Sequence, residues 1–140
     1  MRRLLFSERS LRDTADADRE RIMEFSESLK KNKDFQFIYR NGKSYGNRYL
    51  VMYVFHREGM KNRIGISVSK KVGNSVVRHR LTRLIRESYR LNEKKFVGGL
   101  DMIVIARPGA KERNFFEIES ALLHLAKKHG ILKKEENDQN

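Results

Sequence analysis

The hydrophobic positions of the chain change period several times, and each change marks an element. Residues 32–42, NKDFQFIYRNG, begin at an asparagine suited to an N-cap and stop at a glycine, with Phe35, Ile38 and Tyr39 on one side. That pattern predicts a short helix. Residues 47–58, NRYLVMYVFHRE, are rich in β-branched and aromatic side chains and predict a strand, which Gly59 ends in a turn. Residues 62–70, NRIGISVSK, alternate: Ile64, Ile66 and Val68 share one face, and Gly65, Ser67 and Ser69 share the other. The expected strand has one buried face and one face stripped of bulk. Residues 75–92, SVVRHRLTRLIRESYRLN, return to helical spacing, and residues 100–106, LDMIVIA, form a continuous apolar run stopped by Pro108, the mark of a central strand. Residues 114–130 predict a second long helix, with Asn114 as cap, Glu117 completing a capping box and Gly130 closing it. A further short strand is expected near Ser44 and Tyr45. The order α-β-β-β-α-β-α describes an α+β domain, a single small sheet packed with helices.

The ends differ from this middle. Residues 1–22 mix charges densely, carry few large apolar side chains and show no clean period, so they read as a disordered extension, or as upstream translation if Met23 is the start. They lack the apolar core of a signal peptide. The domain is expected over 23–132, followed by a disordered tail, 133–140. No apolar run approaches the ~18 residues of a membrane span.

Charge changes the picture most. The 140 residues hold 31 Lys and Arg against 18 Asp and Glu, a formal charge of +13, and no cysteine. The balance favours nucleic acid, an anionic membrane surface or an acidic protein as partner. The missing cysteines exclude disulfides and Cys-based zinc sites and fit a reducing, cytoplasmic setting. At about 100° per residue, with Arg78 at zero, Val77, Leu81, Leu84, Ile85, Ser88 and Leu91 fall within about 220–340° of the helix over 75–92. Arg78, Arg80, Arg83, Arg86 and Arg90 fall within about 0–200°, with His79 and Thr82 among them. Between Lys61 and Arg90 the only acid is Glu87. Like charges three and four apart repel unless something anionic neutralises them. Guanidinium groups bind phosphate in bidentate fashion and stack on bases, and the preceding SKKVGN adds Lys70, Lys71 and a helix N-terminus. A merely solubilising face would mix both signs, so nucleic acid is the favoured partner.

The first long strand offers Leu50, Met52 and Val54 to the core shared with Ile64, Ile66 and Val68. Its other face carries Tyr49, Val51, Tyr53 and Phe55 beside Gly65, Ser67 and Ser69. Aromatics beside small residues leave a groove, which Phe35 and Tyr39 can wall, and such a groove suits a single strand of nucleic acid. Phe35 and Phe55 fit a core role equally well; Tyr39 and Tyr53 carry polar tips that want water or a ligand. Carboxylates at Asp34, Glu58, Glu87, Asp101, Glu112, Glu117 and Glu119 are scattered, His56, His124 and His129 show no acid–base pairing, and no phosphate-binding glycine motif occurs. A binder is indicated, rather than a protein-catalysed nuclease.

SVSKKVGNSVVRHRLTRLIRE, residues 67–87, resembles the signature of the bacterial ribonuclease P protein component: a strand ending Ser-Lys-Lys, then Gly-Asn, then an arginine-rich helix. Residues 29–53 look like that family's first helix and strands, and DMIVIARPGA like its last strand and turn, so the likeness spans about 28–130. It implies the accessory subunit of a ribonucleoprotein that removes the 5′ leader from precursor tRNA, the catalytic RNA subunit performing the hydrolysis and holding most of the Mg²⁺. It further implies that Lys70, Lys71, Arg78, His79, Arg80, Arg83 and Arg86 face the RNA subunit and that Phe35, Tyr39 and Tyr53 line a leader cleft. A left-handed βαβ crossover is implied too, against the general right-handed preference. No obligate protein partner and no membrane are expected. His79 stands where the family pattern has Asn, Tyr39 where it often has Phe, and residues 1–22 have no counterpart. The alternative is a ribosomal or RNA-assembly protein of basic α+β type with no role in cleavage.

Overall fold

In a computed structural model, residues 26–134 are described. They form one five-stranded sheet in the order β1-β4-β5-β3-β2. The strands are β1 (Ser26–Ser28), β2 (Lys43–Gly46), β3 (Leu50–His56), β4 (Asn62–Ser67) and β5 (Leu100–Ala106). The helices are α1 (Asn32–Asn41), α2 (Ser75–Asn92) and α3 (Phe115–His129). β1, β4 and β5 run parallel, and β3 and β2 add antiparallel strands on the other side of β5. Adjacent β4 and β5 are joined through α2, so the basic helix is the connection of a βαβ unit.

The α+β expectation holds, with corrections at several edges. β1 is not anticipated by the sequence: it reads Ser-Glu-Ser, with no apolar alternation, and it exists because its backbone pairs with Asn62, Arg63 and Ile64. β3 starts at Leu50 rather than residue 47, because Asn47 Oδ1 accepts from the backbone N–H groups of Tyr49 and Leu50 at 3.1 and 2.9 Å and turns the chain. β4 stops at Ser67, since the carbonyl of Ser69 accepts from Val72 N–H at 3.0 Å and opens a turn. Lys31, not Asn32, is the N-cap of α1. At the C-terminal end, Lys133 N–H donates to Lys95 O at 2.7 Å, so pairing reaches one residue into the expected tail. The expectations for residues 1–22, and for the rest of the tail from 135, lie outside the described residues.

The sheet separates two apolar clusters. On one side α2 and α3 bury Leu50, Met52, Val54 and Ile64 together with Leu81, Ile85, Leu122 and Leu125. The set expected from β3 is buried here, as is Ile64 of β4, whereas Ile66 and Val68 are half-buried against the cluster, Val68 lying past the end of β4. On the other side α1 alone covers a smaller cluster, in which Leu29, Ile38 and Ile103 are buried and Phe35, Tyr39, Tyr53, Phe55 and Ile105 are half-buried. One short helix cannot cover a five-stranded sheet, so that face stays partly open.

α3 carries its full capping box, with Asn114 Oδ1 accepting from Glu117 N–H and Glu117 Oε1 accepting from Asn114 N–H, both at 2.9 Å. Gly130 ends it at φ 71°, the left-handed conformation glycine adopts without strain.

Candidate nucleic-acid interface

α2 begins at an N-cap, Asn74, whose side chain accepts from Val77 N–H at 3.0 Å. Leu81 and Ile85 are fully buried, which fixes the helix's rotation on the sheet and turns its opposite side outward. Lys70 and Lys71 in the preceding turn are exposed, as are His79, Arg80, Arg83 and Arg86 along the helix. Arg78 is half-buried and donates to Gly73 O at 3.0 Å. The helix surface therefore presents the expected cations together.

Two details refine it. The guanidinium of Arg80 donates to the carbonyls of Lys111 and Arg113 at 3.2 and 2.7 Å, fastening the loop before α3. Arg90 closes a bidentate pair with Glu87, both contacts 2.7 Å, so its charge is answered within the helix. The expected stripe also shifts at its end. Leu91 is 56% exposed, whereas Tyr89, which by angle belongs to the basic arc, is fully buried, its hydroxyl 2.8 Å from Ser26 Oγ and accepting from Asn62 Nδ2 at 3.3 Å. β1 and β4 cover that side of the last turns, which a helical wheel cannot anticipate.

The open sheet face forms a trough. Phe35 and Tyr39 lie one helical turn apart with ring centroids 6.3 Å apart, and Tyr39 meets Tyr53 edge to face at 5.0 Å. The three aromatic residues expected at a cleft are thus one half-buried group. Phe35 can lie there because position 65 is glycine: a Cβ at Gly65 would sit 2.5 Å from the Phe35 ring. Burial raises the Tyr39 hydroxyl above its ordinary pKa, against the opposing hydrogen bond with Ser67. Across the sheet Val51, Ile105 and Ser67 stand in register and remain half-buried, forming the floor beyond α1. Ile105 is absent from the expected cleft residues, although its position two residues from Ile103 in a strand puts both on one face. Phe55, for which core and groove were both open, packs edge to face with Phe37 at 5.0 Å.

An ion cluster closes the other end. Asp101, only 2% exposed, accepts from Arg57 Nε at 2.7 Å and from Arg63 Nε and Nη2 at 2.8 and 2.7 Å, while Arg63 also reaches Asp34 at 3.4 Å. Burial pushes the Asp101 carboxyl up, but the two guanidinium groups prevail and hold it below the usual carboxylate value. Arg57 and Arg63 are therefore engaged inside the fold. A sequence signal for this exists: aspartate is disfavoured inside a strand, so an Asp in LDMIVIA needs a partner.

Two of the four histidines, His124 and His129, have structural contacts. His124 Nδ1 lies 3.1 Å from Asn47 Nδ2, and His129 Nε2 lies 2.9 Å from Met52 O, with burial lowering the pKa of His129. Among the described residues no three of His, Asp or Glu are grouped so as to hold a metal ion, and no helix is long and apolar enough to cross a membrane.

Comparison with known proteins bears on what these surfaces serve. A family model described as Ribonuclease P matches residues 23–130. The ribonuclease P protein component of Lachnoclostridium phytofermentans is 60% identical over 115 residues, covering 82% of this chain and 99% of that protein. Among solved structures, the RNase P protein of Staphylococcus aureus superposes with a TM-score of 0.70 at 40% identity, covering 76% of this chain and 97% of that one. The Thermotoga maritima RNase P protein gives 0.67 at 31% identity, covering 72% and 96%.

Proposed function

The chain belongs to the ribonuclease P protein family, the accessory subunits of the endoribonuclease that processes tRNA, and from that premise we propose how its surfaces divide the work. α2 and the turn before it hold the catalytic RNA subunit: Lys70, Lys71, Arg83 and Arg86 supply phosphate contacts, His79 a hydrogen bond or stacking face. Arg78 and Arg80 shape this surface through their bonds to Gly73 and to the loop before α3, while their remaining donors face the RNA. The trough of Phe35, Tyr39 and Tyr53 takes the single-stranded 5′ leader of precursor tRNA. Stacking on such rings is worth about 1–3 kcal/mol per base and tolerates any sequence, which suits leaders that differ between tRNAs.

The observation that carries this division is the separation of surfaces. The cationic helix face and the aromatic trough lie on opposite sides of the sheet, joined by the Ser67–Lys70 segment, so one molecule can hold a folded RNA and a flexible strand together. The protein contributes affinity and placement. Mg²⁺ and the hydrolytic step belong to the RNA subunit, and the compartment is the cytoplasm.

Reconstitution tests the reading. The purified chain with precursor tRNA and Mg²⁺ is expected to cleave nothing; adding a bacterial RNA subunit at low Mg²⁺ is expected to restore 5′ processing. Cleavage by the protein alone would refute the division, as would an RNA subunit indifferent to the protein.

A further inference from the structure

A second concave surface lies away from the trough. Asn47, Arg48, Tyr49, Phe116, Ser120 and His124 line part of a groove of about 610 Å³ between the β2–β3 turn and the first three turns of α3. Phe116 stands on its rim 74% exposed, on a helix whose capping box holds the backbone rigid. The groove is held from below by Asn47, whose Nδ2 donates to Ala121 O at 3.0 Å. Its aromatic wall is backed by a cation, the Arg113 guanidinium 5.5 Å from the centre of the Tyr49 ring. Arg113 Nε is buried with no hydrogen-bond partner, while its Nη1 reaches Glu117 at 3.3 Å.

The loop that leads into the groove's α3 wall is tied to α2. Arg80 donates to Arg113 O, so the loop that carries Arg113 is fastened to the cationic helix face. An RNA lying on α2 would meet this rim next. We propose that the groove between Tyr49 and Phe116 receives one unpaired nucleobase of the catalytic RNA subunit, with its phosphate on Arg48; this rests on the reading of α2 given above. Two aromatic surfaces, exposed Ser120 and His124 as hydrogen-bonding groups, and a cationic rim match a base with an anionic backbone. An acidic protein would answer the charge but would leave the aromatic slot unfilled.

The test compares Phe116→Ala, Phe116→Tyr and the double variant R83A/R86A in binding to a bacterial RNA subunit, with chemical probing of unpaired bases. Phe116→Ala should weaken binding roughly tenfold without changing its salt dependence, and one base protected by the native protein should become reactive. Phe116→Tyr should keep both affinity and protection. Affinity within about twofold of native and an unchanged probing pattern for Phe116→Ala would overturn the proposal. So would loss of a self-association in sedimentation with RNA protection intact, which would make the groove a contact between copies. If Phe116→Ala alone is silent, only the groove fails; if R83A/R86A is silent as well, the reading of α2 fails with it.

Discussion

Arg57 and Arg63 can be set beside Arg83 and Arg86. Both pairs belong to the same strongly basic domain, yet the first surrounds a buried aspartate and the second points outward from a helix. The first pair contributes to stability. The Asp101 carboxylate sits near the start of the central strand, and the two guanidinium groups offset the cost of burying its charge. The second pair stands exposed on a helix crowded with like charges, which repel one another. Arginine content therefore says little by itself about where RNA binds; the surroundings of each guanidinium decide it.

Breaking the buried cluster should have the largest effect. Asp101→Ala leaves two guanidinium groups facing each other without their anion, and the domain should lose about 3–5 kcal/mol, read as a lowered Tm and denaturation midpoint. A loss below about 1 kcal/mol would mean that water already carries those charges. Next comes the trough. Tyr53→Ala should weaken holoenzyme binding to precursor tRNA by about 1–3 kcal/mol and leave leaderless tRNA untouched; equal loss for both would make Tyr53 a core residue only. The smallest effect separates the two arginine groups by pH. Asp101 has a depressed carboxyl pKa in the fold, so its contribution is complete above the unfolded carboxylate value and is lost as pH falls through the folded one. The stability gap between the native protein and Asp101→Asn should therefore narrow on acidification, and a gap independent of pH would remove Asp101 as an acid-sensitive support.

Much of this architecture could be read locally. The bounds of α2 and β5 follow from periodicity and flanking glycine and proline, and the capping box of α3 from two residues three apart. Phe35, Tyr39 and Tyr53 could be grouped because alternation and helical spacing each assign a face. What escaped were long-range pairings. β1 is a strand only through β4, and the burial of Tyr89 rests on partners far along the chain, Ser26 and Asn62 at its hydroxyl and Phe96 against its ring. Arg80 reads as one more RNA-facing cation until the loop carbonyls it holds, more than thirty residues away, are located.

The central claim is that the outward arginines of α2 meet RNA phosphates, and salt dependence measures this most directly. Binding of the native protein and of R83A/R86A to the RNA subunit should be followed over a salt series. The double variant should keep a cooperative fold, checked by its unfolding transition, and show a log–log slope shallower by about 2, one for each phosphate no longer neutralised. An unchanged slope in a fully folded variant would contradict the account.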